Sequence, residues 1–128
     1  MEEEKQYRSY RDLAVWKAAR NYKLTIRKVT ATLPANEKFR LEDQMIRASR
    51  SIGSNIAEGY GRYTYKDQIH FCMQARGSLF ESTNHLIDAF DENYINHETL
   101  TELDNQATEV EKLLNGYIAW LRTMIKNQ

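Results

Sequence analysis

"SIGSNIAEGYGR", residues 51 to 62, is the stretch whose reading decides the fold. It follows a strongly helical run, yet holds Gly53, Ala57, Gly59 and Gly61. Glycine in a helix interior costs about 1 kcal/mol relative to alanine. Such a stretch is a phosphate-binding loop, an active site, or a place where two backbones come close. A Walker loop needs a strand, then G-x-x-x-x-G-K-[ST], then a helix. No strand precedes these glycines, and no lysine follows them where that motif requires one. Gly59-Tyr60-Gly61 is read instead as a helix terminus and turn, because glycine takes left-handed angles cheaply.

Outward from that turn the chain reads as helices. Upstream, Leu41, Met45, Ala48, Ile52 and Ile56 share one helix face, and Asn36 is the expected N-cap. Before Pro34, the spacing of Val15, Ala19, Tyr22, Ile26, Val29 and Leu33 predicts a helix from about Asp12 to Leu33. Downstream, Thr64 caps a helix carrying Ile69, Cys72, Leu79, Leu86 and Phe90, which breaks at Asn93 and Asn96. Leu100, Leu103, Ala107, Val110, Leu114, Tyr117, Leu121 and Met124 then alternate by three and four. The connections are short, so the expected fold is all-α: an antiparallel up-down four-helix bundle over residues 12–126, behind a polar tail, 1–11.

The 128 residues suit one domain. A single cysteine, Cys72, rules out an internal disulfide. The acidic start is no signal peptide, and no apolar run approaches the length of a membrane span, so a cytoplasmic protein without membrane contact is expected. Net charge is zero but uneven: Lys5 to Arg76 holds 15 Lys or Arg against 6 Asp or Glu, and Gly77 to Gln128 holds 3 against 9. One basic and one acidic face are expected, either of which can guide assembly or a charged partner.

No catalytic motif stands out. The three histidines share no helical spacing, and no metal-ligand pattern or cofactor motif is present. Arg76 falls in an arc with Ile69, Thr83 and Ile87, so a buried contact with Glu58 or Asn55 is expected, a polar layer that fixes register. The sharper reading, a catalytic Glu–Arg pair, lacks a nucleophile, metal set or third group. On the middle helix Ile46, Ser49 and Gly53 form a second strip of apolar or small residues. With Trp16, which lies off the first helix's core stripe, they are expected to meet other subunits. Between Asp12 and Glu37 there is no acid, and Lys17, Arg20, Lys23, Arg27 and Lys28 are placed opposite the apolar stripe. Arg47 and Arg50 extend this basic surface. Cations at such spacing can meet successive phosphates, and a neighbouring aromatic can stack on an unpaired base. The competing reading is a basic face paired with a neighbour's acidic helices.

The residues "DLAVWKAA" (12–19), "LPANEKFRLEDQMIRASRSIGSNIAEGYGR" (33–62) and "ARGSLFES" (75–82) carry a family resemblance. The chain resembles the four-helix-bundle proteins encoded in intervening sequences of bacterial large-subunit rRNA genes, over about Tyr10 to Arg122. Gly53 departs from the family, which often has proline there. The resemblance implies a homopentameric barrel and similarity to the accessory variability protein of diversity-generating retroelements, a basic pentamer that binds nucleic acid and a reverse transcriptase. A reverse transcriptase as partner is thus an expectation by analogy. The resemblance supplies no catalytic residue. Together these readings give a non-enzymatic oligomeric bundle that binds RNA or DNA. A protein–protein scaffold is the alternative.

Overall fold

A computed structural model gives the structure of residues 9–127. The polar tail expected over residues 1–11 lies, up to residue 8, outside the described residues. Its last part is structured: Tyr10–Asp12 form a 3-10 turn capped by Ser9, whose Oγ accepts from the Arg11 N–H at 3.1 Å. Four helices follow, α1 (Ala14–Thr30), α2 (Leu41–Tyr60), α3 (Tyr65–Asp91) and α4 (His97–Lys126), with no strand among the described residues.

Local chemistry sets the helix ends. The first helix is shorter than its periodicity suggests, because Leu13 takes an extended backbone after the 3-10 turn and α1 starts beyond it. Asn36 does not cap α2; it sits inside a second 3-10 turn, Ala35–Glu37. Glu37 serves α2 instead, its Oε1 accepting from the Leu41 N–H at 3.4 Å. Thr64 caps α3 as expected, accepting from the Asp67 N–H, and Asn96, expected only as part of a break, caps α4 by accepting from the Thr99 N–H. At the end of α3, Asn93 has φ 64°. The N–H groups of Asn93 and Tyr94 return to the carbonyls of Phe90 and Ala89 at 2.9 Å each, a Schellman closure with asparagine in glycine's usual place.

The core forms between the heptad-spaced faces. α3 contributes Cys72, Ala75, Leu79, Ser82, Leu86 and Ala89; α4 contributes Leu100, Leu103, Ala107, Val110, Leu114, Ile118 and Leu121. Ile118 rather than Tyr117 fills the sixth place on α4, because a 3.6-residue turn drifts against a repeat of seven. α1 packs on α2 and α4, α3 packs on α2 and α4, and α1 faces α3 across the diagonal. Ser51 pairs with Ser78, and Gly59 approaches Gln68, so α2 and α3 run antiparallel. This is the register of an up-down bundle.

Candidate nucleic-acid interface

The opening stretch is structural. A Cβ on Gly59 would lie 2.9 Å from Phe71 Cβ and 3.1 Å from the Gln68 carbonyl, so only glycine lets α2 and α3 meet there. Gly61 does not use a left-handed conformation; its φ is −81°. Arg62 closes the turn, bonding Glu58 Oε2 at 2.6 Å and lying 4.7 Å from the Phe71 ring centre. The Gln68 side chain donates to the Arg62 carbonyl.

The polar layer differs from expectation. Arg76 reaches neither Glu58 nor Asn55. Its Nη1 donates to Asn115 Oδ1 on α4 at 2.8 Å, and its Nη2 contacts Met73 Sδ. The arc of Ile69, Thr83 and Ile87 is the flank of α3 turned towards α4, not the core, so Arg76 is only half-buried. Glu58 is exposed and bound to Arg62. Asn55 does order a polar contact, but within α2: its Nδ2 donates to the Ser51 carbonyl and Oγ at 3.0 Å each. Ser51 Oγ in turn shares a hydrogen bond with Ser78 Oγ at 2.8 Å.

The buried polar pair is Tyr22 with Ser82, which joins α1 to α3 across the centre at 2.7 Å. Ser82 Oγ donates to the Leu79 carbonyl at 2.8 Å, so the phenol is the donor between them. Burial pushes the Tyr22 hydroxyl up to about 12, against the lowering effect of Ser82. A tyrosine in an apolar repeat looks like any other core residue, so its hydroxyl's partner was not legible without the fold.

The second strip of α2 is largely used inside the chain. Ser49 is only 2 % exposed. A Cβ on Gly53 would meet Trp16 Nε1 at 3.4 Å, so the indole of α1 lies along Gly53, with Tyr10 edge-on to it at 5.3 Å. Ile46 stays half-exposed. Trp16 and Gly53 therefore fit each other in one subunit, and Ser49 has no free surface to offer a second one.

The basic residues divide into stripes. Trp16, Arg20, Lys23 and Arg27 follow spacings of four, three and four, and share a flank of α1. Trp16 fixes that flank against α2. Arg27 is anchored there, Nη1 donating to Thr30 Oγ1 at 3.2 Å. Lys17 and Lys28 lie on a different stripe, opposite the core and around exposed Leu24. The five thus do not form one face. Arg50 is exposed on the outer side of α2. Arg47 shares a stripe with Ser51, which faces α3, and lies 3.8 Å from Asp43. No acid occurs anywhere in α1. Among the described residues no three His, Cys, Asp or Glu could hold a metal ion, and no helix is long and apolar enough to cross a membrane.

Comparisons with known proteins bear on this arrangement. A solved structure of a protein of unknown function, from the S23 ribosomal protein family of Bacteroides thetaiotaomicron, superposes with a TM-score of 0.76 at 26 % identity. The match covers 82 % of this chain and 98 % of that one. Comparison with curated proteins gives no match. The family model for the 23S rRNA-intervening sequence protein matches residues 11–116, which takes in the basic stripes, the Gly59 turn and all of the α3 heptads. The chain belongs to the 23S rRNA-intervening sequence protein family.

Proposed function

We propose that this chain is a non-enzymatic, cytoplasmic bundle protein that binds RNA or other nucleic acid along the α1–α2 side, as a subunit of a homopentameric ring. The observation that carries the reading is the Trp16–Arg20–Lys23–Arg27 stripe on a helix without a single acid, with Arg50 exposed on the neighbouring α2. Residues three and four apart on one helix are near neighbours, which brings their charges onto one track. That is the pattern a phosphate backbone needs. The half-buried indole of Trp16 closes one end of the stripe, and an aromatic ring beside a cationic track suits contact with a base. Phosphate contacts carry no direct base information, so binding should depend on length more than on sequence. A ring repeats the stripe, and multivalency turns weak single contacts into useful affinity.

The test is an anisotropy titration with structured RNA and with single-stranded DNA at several salt concentrations, on nuclease-treated protein. Binding that weakens steeply with salt supports the reading; no binding at low salt overturns it. The scaffold alternative then stands, favoured by the exposed apolar flank of α3.

A further inference from the structure

We propose that the recess between α3 and α4 receives the outer ridge of α1 from a second copy of this chain, joining copies head to tail. α3 carries two repeats of seven. The inner one is core. The outer one is Met73, Phe80 and Ile87, which remain 39 %, 49 % and 43 % exposed. An apolar stripe maintained at helical period over about four turns is a packing face, and this one has no complete cover in its own chain. Beside it, α4 presents Asp104, Thr108 and Glu111, again at spacings of four and three. Phe80 and Thr83 line a recess of about 280 Å³ together with these residues. The recess has an apolar wall and an acidic rim.

The chain itself carries the matching shape. On α1, Lys17, Leu24 and Lys28 form the stripe opposite the core, and Leu24 is 44 % exposed between the two cations. An apolar ridge flanked by lysines fits an apolar wall flanked by carboxylates. Asp104 and Glu111 are about 10.5 Å apart along α4, and the two lysines about 16.5 Å apart along α1. Flexible four-carbon stems close that difference. The fit also matches the wider charge division of the sequence, basic in its first part and acidic after Gly77. Ridge and recess are different patches, so the contact is not two-fold. Each copy offers both, and such contacts close into a ring or run on as a filament. The inference specifies the surface for the assembly part of the proposed function and rests on that part, not on nucleic-acid binding. It leaves the Arg20, Lys23 and Arg27 stripe free.

The experiment measures mass by light scattering on nuclease-treated protein, with circular dichroism to check that each variant stays helical. Wild type should be an oligomer. Leu24→Glu and Phe80→Glu should each be monomeric. Mixed in equal amounts at high concentration, they should form a heterodimer and nothing larger, because one variant keeps the recess and the other keeps the ridge. As a second line, Lys17→Glu with Lys28→Glu should lose assembly, Asp104→Lys with Glu111→Lys should lose it, and all four together should restore it. An assembled wild type whose Leu24 and Phe80 variants stay assembled overturns this surface alone. So does a mixture of the two that remains monomeric, or a four-fold variant that fails to reassemble. A monomeric wild type overturns both the surface and the ring.

Discussion

Gly59 and Gly116 are the same residue type under opposite constraints. At Gly59 a methyl group would press on Phe71 Cβ and on the Gln68 backbone, neither of which can swing away. Gly59→Ala should therefore destabilise by about 1–3 kcal/mol despite alanine's better helix propensity. At Gly116 a Cβ meets nothing within 4 Å, so Gly116→Ala should stabilise by about 0.5–1 kcal/mol. Denaturant midpoints of the two variants should move in opposite directions. The Tyr22–Ser82 pair is similarly asymmetric. Tyr22→Phe leaves Ser82 Oγ bonded to the Leu79 carbonyl and removes one ordinary hydrogen bond, at about 0.5–1.5 kcal/mol. Ser82→Ala leaves a buried phenol with no acceptor and should cost more, about 1–3 kcal/mol. Equal losses in chemical denaturation would refute this direction of donation.

At the scale of elements, two connections are tied by one carboxylate. The Schellman closure after α3 sets Tyr94 facing Glu37, and the Tyr94 hydroxyl donates to Glu37 Oε2 at 2.7 Å while Oε1 caps α2. The hydrogen bond from Tyr94 holds the Glu37 carboxyl below its ordinary value of 4.5, and the same bond raises Tyr94. A carboxyl depressed in the folded state adds stability above its unfolded value and loses it as pH falls through the folded one. The melting temperature of Glu37→Gln should thus lie below that of wild type at pH 7, and the gap should close as pH falls below the ordinary carboxyl value of 4.5. A gap that is constant with pH would show that the carboxylate's charge is not involved. Arg76 belongs to this scale too. Because it joins α3 to α4 through Asn115 at the surface, Arg76→Ala should cost about 0.5–1.5 kcal/mol, well short of the loss from breaking a buried ion pair.

For the molecule as a whole, the split of the cations predicts unequal effects on nucleic-acid binding. Arg20→Glu and Arg27→Glu should each flatten the plot of log affinity against log salt by about 0.7–0.9 per lost phosphate contact. Arg47→Glu should change it less, since Arg47 faces the α3 side and lies beside Asp43. Light scattering should show the same mass for all three variants, because none touches the ridge or the recess. If binding persists and only Arg47→Glu changes the slope, the track runs over α2 and α3 instead.

Sequence by itself determined the four helices and most of their buried faces, because periodicity, Pro34, the Thr64 cap and the break at Asn93 and Asn96 act within a few residues of one another. It also marked α1 as wholly basic. Only the tertiary structure decided which helix flank meets which neighbour. A helical wheel gives angles about one axis and is silent on where the next axis lies. For that reason the wheel puts Arg76 in the interior although its arc is the flank towards α4, and puts Ser49 against a second subunit although its own bundle encloses it. The five cations of α1 likewise read as one face on the wheel, and Trp16, seated on Gly53, fixes which of them turn towards α2. The glycine at position 59 shows the same limit most directly: its need for close approach is set by Phe71 and Gln68, residues on another helix, and nothing local to the glycine records it.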